Sequence, residues 1–263
     1  MKRAGKGMKL LLIFVLFYPL LFLLAGSLTG EMEISGWVLF PQYPTAVSYV
    51  ELLFDIPEFY VLFWNSVSYV ICIIAGQLAI AVPAAWALTN IRPALRKVII
   101  VADIAVAVLP FQVRMLPEYL VLKDLNLLDC PAGIILPEVF SALPVLIMYY
   151  SFSNQPKALK ESARVDGATE FQVFYKVSLP VAVPAIATCV ILALLEYWNM
   201  IEQPLMFIKN KSYWPLALFS PGDAEYGMGV VFAMAFFLSV FVLLIFMLLQ
   251  KYFEEGLSTI SKE

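Results

Sequence analysis

Four ionisable side chains stand inside stretches otherwise too apolar to hold them: Asp103, Arg114, Glu138 and Glu196. On insertion scales a charge at the centre of a bilayer costs about 2.5–3.5 kcal/mol, so each needs a role or a partner. Catalysis is poorly supplied. The chain has no His, which removes imidazole metal sites and Ser–His or Cys–His nucleophiles. Its cysteines, Cys72, Cys130 and Cys189, match no CxxC or zinc spacing. Cys72 and Cys189 lie in apolar runs and read as small buried hydrophobes. Only a carboxylate pair or a Cys is left to act, and the candidates sit at different apparent depths. There is no GxxxxGK[ST], hence no P-loop for ATP. No catalytic residue, no metal site and no cofactor bound by this chain are expected. Binding is better served. Glu196, Tyr197, Trp198 and Asn199 join hydrogen-bonding groups to aromatic faces, a combination that suits a sugar. With Asp103 and Glu138 they are the candidates for lining a solute path. The plainer readings are an aromatic belt near a span end for the Tyr–Trp pair, and a structural pair for Asp103 with Arg114.

A second group of polar residues is concentrated in "ESARVDGATEFQVFYKVSLP", Glu161–Pro180. Pro156 suits a first helical turn, with Asn154 or Gln155 as its cap. A short helix is expected over Lys157–Val165. Asp166-Gly167 then signals a turn, since glycine accepts positive φ. Thr169 and Gln172 have capping-box spacing and start a second helix. Apolar residues recur at helical intervals through both. So short a helix pair is marginal alone in water and must dock on something; the plainer surface is the lipid headgroups.

The elements that hold these two groups follow from composition. Of 263 residues, 62% are hydrophobic and 14% charged, with mean hydropathy +0.86. A soluble domain has nearer 25% charged, so this is an integral membrane protein. Apolar runs define six helical spans: Leu10–Leu28, Val61–Leu88, Val98–Leu116, Gly133–Phe152, Val181–Ile201 and Tyr226–Gln250. The first is too long for a signal-peptide core and reads as a retained helix. Of the 17 basic residues, 13 fall on the side holding both termini and the loops after spans two and four. By the positive-inside rule that side is cytoplasmic. The loop Thr29–Glu58 carries Glu31, Glu33, Glu51, Asp55 and Glu58 and no basic residue, as suits the outside. No internal repeat appears, and a single domain, 1–263, is expected. The fold class is all-α and polytopic, with a cytoplasmic helix-turn-helix at about 153–180 between spans four and five. Pro83, Pro110, Pro117, Pro144 and Pro184 lie in or beside spans, and together read as bendable helices.

The Glu161–Pro180 stretch resembles the cytoplasmic signature loop of ABC-importer permeases. That loop reads Glu-Ala-Ala, three residues, Gly, nine residues, Ile, one residue, Leu-Pro. Here Glu161-Ser162-Ala163, Gly167, Val177 and Leu179-Pro180 keep every spacing, with Ser162 for an Ala and Val177 for an Ile. "NSVSYV" at Asn65, "AAWALTNIRPALRK" at Ala84, "LVLKDLNLLDCPAGIILP" at Leu120, "EYWNMIEQPLMFI" at Glu196 and the ending "LLQKYFEEGLSTISKE" are similar to the maltose-type carbohydrate importers, second-permease branch. The likeness covers roughly residues 60–263. One departure is Glu254-Glu255-Gly256, where that family has Arg-Gly.

The resemblance implies a bacterial cell-membrane permease subunit that couples to a separate ABC ATPase dimer, on which ATP and Mg bind. It also implies a second homologous permease, and an extracellular lipid-anchored or periplasmic solute-binding protein. The solute would be an oligosaccharide or sugar derivative; nucleic acid has no part. Glu161 would pair with a basic residue of the ATPase, and Gly167 would make the turn that enters its groove. Phe171 and Phe174 would supply apolar contact, with Ala163, Asp166, Leu179 and Pro180 completing the docking motif. The outer loop Pro204–Gly227 resembles one that reaches toward the binding protein. The alternatives are the same architecture carrying a non-sugar solute, or a self-contained secondary transporter, whose inverted repeats are not evident.

Overall fold

The computed structural model describes residues 2–30, 41, 43–219 and 227–260. Glu31 and Glu33 of the acidic loop, and residues 220–226 of the second outer loop, lie outside them, as do the side chains of residues 2–13, 249 and 252–260. Among the described residues the chain is helical, with no strand. It divides into two compact units, Met1–Leu62 with Phe219–Ile245, and Phe63–Leu218 with Phe246–Glu263.

In the first unit, α1 (Lys2–Ser27) precedes a short α2 (Val47–Val50), a π-helical turn (Glu51–Asp55) and the start of α3 (Pro57–Asn90). The unit also holds the opening of α13 (Met228–Ile260). Small residues and rings set the spacing. Phe22 meets Phe232 edge-on at 5.6 Å, and Phe59 meets Phe237 at 5.5 Å. A Cβ on Gly26 would fall 2.7 Å from the Phe232 ring, so only glycine fits there. The hydroxyls of Ser27 and Tyr49 hydrogen-bond at 2.6 Å, tying the end of α1 to α2.

The second unit carries the residues singled out above. α3 continues through it, followed by α4 (Pro93–Ala107) and α5 (Phe111–Asp124). The expected span Val98–Leu116 is not one helix: α4 and α5 meet at 98°. The cause is Pro110, which has no N–H to continue the ladder and pushes the residue before it out of helical geometry. It caps α5 in extended backbone instead. α6 (Pro131–Val139) and α7 (Ala142–Ser153) together make a 23-residue crossing, interrupted at Phe140-Ser141. After α8 (Lys157–Val165) come α9 (Glu170–Gln172), a π-helical stretch (Val173–Ser178) and α10 (Leu179–Val181). α11 (Val183–Trp198) follows at 65° to that run. A short α12 (Glu202–Phe207) completes the unit's named helices.

Pro57–Asn90, Pro131–Ser153 and Met228–Leu248 are each long and apolar enough to cross a membrane, and counting each bent pair as one span raises the number to five. Phe14–Ser27 is a shorter apolar helix. The chain is membrane-embedded.

On the side away from α8, the segment after α12 is pinned to the top of α3. Asn65 donates to the carbonyls of Ser212 and Trp214 (2.7 and 3.0 Å), Tyr69 donates to Tyr213 O (2.6 Å), and Ser66 Oγ accepts from Leu216 N (2.7 Å). Asp129, held at φ +58, accepts from the amides of Lys209 and Asn210 at 2.9 and 2.7 Å. Asn and Asp tolerate such φ better than other residues.

α3 and α6 approach closely at Gly76. A Cβ there would lie 2.5 and 2.9 Å from the two methyls of Val139. Gly76→Leu is expected to cost about 1–3 kcal/mol through overpacking. A lowered unfolding midpoint of the detergent-purified protein checks it; an unchanged midpoint would show that α6 can slide.

Candidate functional site

Two places carry unexplained polar chemistry. The first is the Lys157–Pro180 segment, and most of its local reading holds. α8 spans Lys157–Val165. Gly167 has φ +84. Its N–H reaches Arg164 O and the next N–H, from Ala168, reaches Ala163 O, both at 3.0 Å. This is a Schellman closure, which satisfies two carbonyls that a helix end leaves without partners. Thr169 and Gln172 form the expected capping box, with side-chain bonds of 2.8 and 3.3 Å. Arg164 clasps Glu170 through two bonds (2.6 and 3.1 Å) across the turn. That hydrogen bond raises the Arg164 guanidinium above its ordinary pKa and holds the Glu170 carboxyl below the usual carboxylate range.

The start of α8 differs from expectation. Pro156 is itself the N-cap, with no side-chain cap. Gln155 is buried and donates to Ser178 O at 2.8 Å; a buried amide must find a partner, and the nearby carbonyl outcompetes the cap.

The segment has two faces. No residue of α8 is buried. Val165 and Phe171 are 87% and 73% exposed, and Tyr175 lies stacked on Phe171 at 6.3 Å. Glu161 and Asp166 are exposed, and the Glu161 carboxylate, within electrostatic reach of Arg164, takes no hydrogen bond among the described residues. Phe174 turns the other way, into Trp86 of α3 (5.6 Å) and Phe152 of α7 (6.2 Å). Leu179 packs on the same cluster, Ala163 is half-buried and Pro180 exposed. Of the expected docking residues, then, Glu161, Asp166, Gly167 and Phe171 stand on the surface, while Phe174 and Leu179 anchor the segment to the bundle.

The second place is a buried polar network in the spans. Glu138 of α6, Tyr197 of α11 and Gln77 of α3 are 3%, 2% and 3% exposed. Tyr197 donates to one Glu138 carboxylate oxygen at 3.0 Å, and Gln203 of α12 donates to the other at 3.2 Å. Gln77 donates to Tyr197 Oη and to the Glu138 carbonyl, both at 2.8 Å. The network joins four helices with every principal group satisfied, the condition under which buried polarity rigidifies a bundle. Gln77 and Gln203 are not among the residues the sequence singles out, since neither is charged nor stands in the polar–aromatic run Glu196–Asn199. Gln77 was nonetheless legible, as an amide in the middle of the charge-free run Phe59–Ile91.

The remaining path candidates do not join this network. Trp198 is buried, with its ring edge-on to Phe63 at 6.1 Å. Asn199 is exposed and donates back to Leu195 O at 3.2 Å. Glu196 is exposed, within electrostatic reach of Glu138 and Arg114. Asp103 hydrogen-bonds to none of these groups, and its Oδ2 is buried without a hydrogen-bond partner among the described residues. Arg114 pairs with Glu118 at 3.0 Å, four residues on, rather than with Asp103. Cys189 is buried, but Cys72 points outward from α3, where a small apolar group can face lipid or another chain. Among the described residues no cluster of His, Cys, Asp or Glu could hold a metal ion.

The family model of the binding-protein-dependent transport system inner membrane component matches residues 77–259, and the chain belongs to that family. It is therefore similar to the permease subunits of binding-protein-dependent ABC importers. Protein LplC of Bacillus subtilis is 27% identical over 258 residues, covering 91% of this chain and 86% of that protein. The sulfoquinovosyl glycerol transport system permease protein SmoH of Agrobacterium fabrum is 30% identical over 217 residues, covering 79% and 75%. The fold matches a chain in the crystal structure of a bacterial ABC transporter involved in the import of the acidic polysaccharide alginate. The TM-score is 0.82 at 24% identity, with 96% of each chain covered.

Proposed function

We propose that this chain is one of two permease subunits of an ATP-driven importer for an oligosaccharide or sugar derivative, and that Glu161–Pro180 docks it on a separate ATPase. The observation that carries the reading is the two-faced segment. One face, Phe174 and Leu179, is packed into the bundle; the other, Glu161, Val165, Phe171 and Tyr175, is held outward by a glycine turn and a capping box and stays exposed among the described residues. A surface so firmly shaped and so apolar marks an interaction site. The basic residues gathered on that side support six spans with both termini cytoplasmic, which puts the segment where a cytoplasmic ATPase could reach it. ATP and Mg then act on that partner, and this chain supplies the path and the mechanical response, a rigid-body switch between two packings. A second permease and a solute-binding protein complete the assembly. The carbohydrate reading rests on the relatives' cargo and on the polar–aromatic run Glu196–Asn199.

The test is gentle detergent purification of the tagged protein with mass spectrometry of what accompanies it, beside Glu161→Lys. Co-purification of an ATPase and a second permease with the wild type, and loss of the ATPase from the variant, are expected. A chain that emerges alone, unaltered by the substitution, would make the segment an interfacial helix and sink the importer assembly proposed here.

A further inference from the structure

We propose that Lys160 is the positioning residue through which movement of the docking helix passes into the spans. The inference rests on the docking reading above. α8 has no buried residue. Among the described residues, Lys160 is the α8 side chain hydrogen-bonded to a spanning helix: its Nζ donates to Phe152 O of α7 at 2.9 Å. That carbonyl lies in the last turn of α7, where backbone acceptors lack helical partners and a cation is favoured by the helix dipole. The same ammonium sits 4.8 Å from the centroid of the Trp86 ring, on the final turns of α3. A cation over an indole face is attracted to it, most strongly when partly desolvated. Lys160 is half-buried there, and burial together with nearby Arg164 lowers its pKa.

The contacts form a closed circuit. Trp86 stands edge-on to Phe152 at 5.5 Å and packs on Phe174 at 5.6 Å. Phe174 belongs to the second arm of the docking segment, whose carbonyl at Ser178 is tied back by Gln155. The second arm is thus anchored by an aromatic cluster and a buried amide. The first arm, α8, is clasped to the second by Arg164 and Glu170, but among the described residues its direct side-chain hydrogen bond to a spanning helix is the one ammonium of Lys160. Lys160 faces the bundle while Val165 and Phe171 are left outward, so its removal leaves the docking surface intact. What is lost is the link that makes α8 move as one body with the ends of α3 and α7. Without it a partner can seat on α8 and close, and α8 rocks on its Pro156 and Gly167 ends.

The test uses the complete transporter purified with its ATPase and second permease, its native cysteines replaced by Ala and one reporter, Gln112→Cys, placed on α5. Labelling by a fluorescent maleimide is followed with and without ATP and orthovanadate, alongside ATP hydrolysis. In the parent, trapping changes the labelling rate by about 5-fold or more, the usual scale of coupled sites. With Lys160→Met we expect the ATPase to stay bound and hydrolysis to continue, while the trapping-dependent change disappears. Lys160→Arg, which still donates and still stacks on Trp86, restores most of it. A merely structural lysine would not separate hydrolysis from the change on α5. If Lys160→Met keeps the parent's response, or sheds the ATPase while staying monodisperse, the inference is overturned and the docking reading stands. If the parent itself captures no ATPase, the docking reading falls and takes the inference with it. Should Lys160→Met fail to insert, Trp86→Phe keeps a ring with weaker pull on the cation. A reduced response with bound ATPase then supports the role, and a full one overturns it.

Discussion

If Glu161–Pro180 docks an ATPase as proposed, Gly167→Val is expected to lower retention of that partner by about tenfold, the equivalent of the roughly 1–2 kcal/mol that an L side chain costs in left-handed backbone. The turn at Gly167 has φ +84, and its two closing hydrogen bonds run to Arg164 O and Ala163 O. Among the described residues no heavy atom lies within 4 Å of where a Cβ would stand. Within this chain the penalty is therefore backbone strain and not a clash, and it should follow the residue's tolerance of positive φ. Asn tolerates it best, Ala less, and a β-branched Val least. The expected order of ATPase retention is Gly, Asn, Ala, Val. Hydrogen exchange at the Gly167 and Ala168 amides should rise in the same order, since both bonds depend on the turn. If Val retains the ATPase as well as Gly does, the turn does not shape the docking surface. If Asn is as damaging as Val, a partner surface crowds the position, and contact rather than strain decides.

The features legible in the sequence were those set by neighbours in the chain. The Gly167 turn and the Thr169–Gln172 capping box each depend on residues within three or four positions, and both stand where their spacing put them. The bends were only half legible. Pro110 was visible, but the 98° between α4 and α5 depends on what each helix packs against, which no local pattern states. The inward turn of Phe174 has a similar origin. Val173–Ser178 is π-helical, which changes the angular spacing of its side chains from that of an α-helix, so a reading at α-helical period puts Phe171 and Phe174 on one face. Arg114 was paired across a bend with Asp103, although Glu118 stood four residues along the same helix, the more reliable geometry. The Glu138 network brings together residues as much as 126 positions apart, Gln77 and Gln203, and depends on tertiary packing.

That network supplies the second large effect. Tyr197→Phe is expected to destabilise the detergent-purified chain by about 1–3 kcal/mol, the cost of leaving a buried polar group without its partner. The lost hydroxyl donates to the Glu138 carboxylate and accepts from Gln77, so one oxygen of Glu138 loses its donor. Glu138→Ala should cost more, because it strands the donors of both Tyr197 and Gln203 and opens a cavity at a 3% exposed site. The two effects should not add. Residues sharing one network show coupling of about 0.5–3 kcal/mol, so the double variant should be less destabilised than the sum of the singles. Glu196→Gln makes the contrast, since Glu196 is exposed and, among the described residues, hydrogen-bonds to no member of the network, reaching Glu138 only through its charge; surface changes of that kind stay within about 0.5 kcal/mol. Thermal unfolding midpoints of the four variants separate the two roles. Additive losses, or a Glu196→Gln loss as large as that of Tyr197→Phe, would mean that Glu138 and Tyr197 do not work as one brace. If the predicted pattern is seen, Glu138 and Tyr197 belong to the scaffold that holds α3, α6, α11 and α12 together.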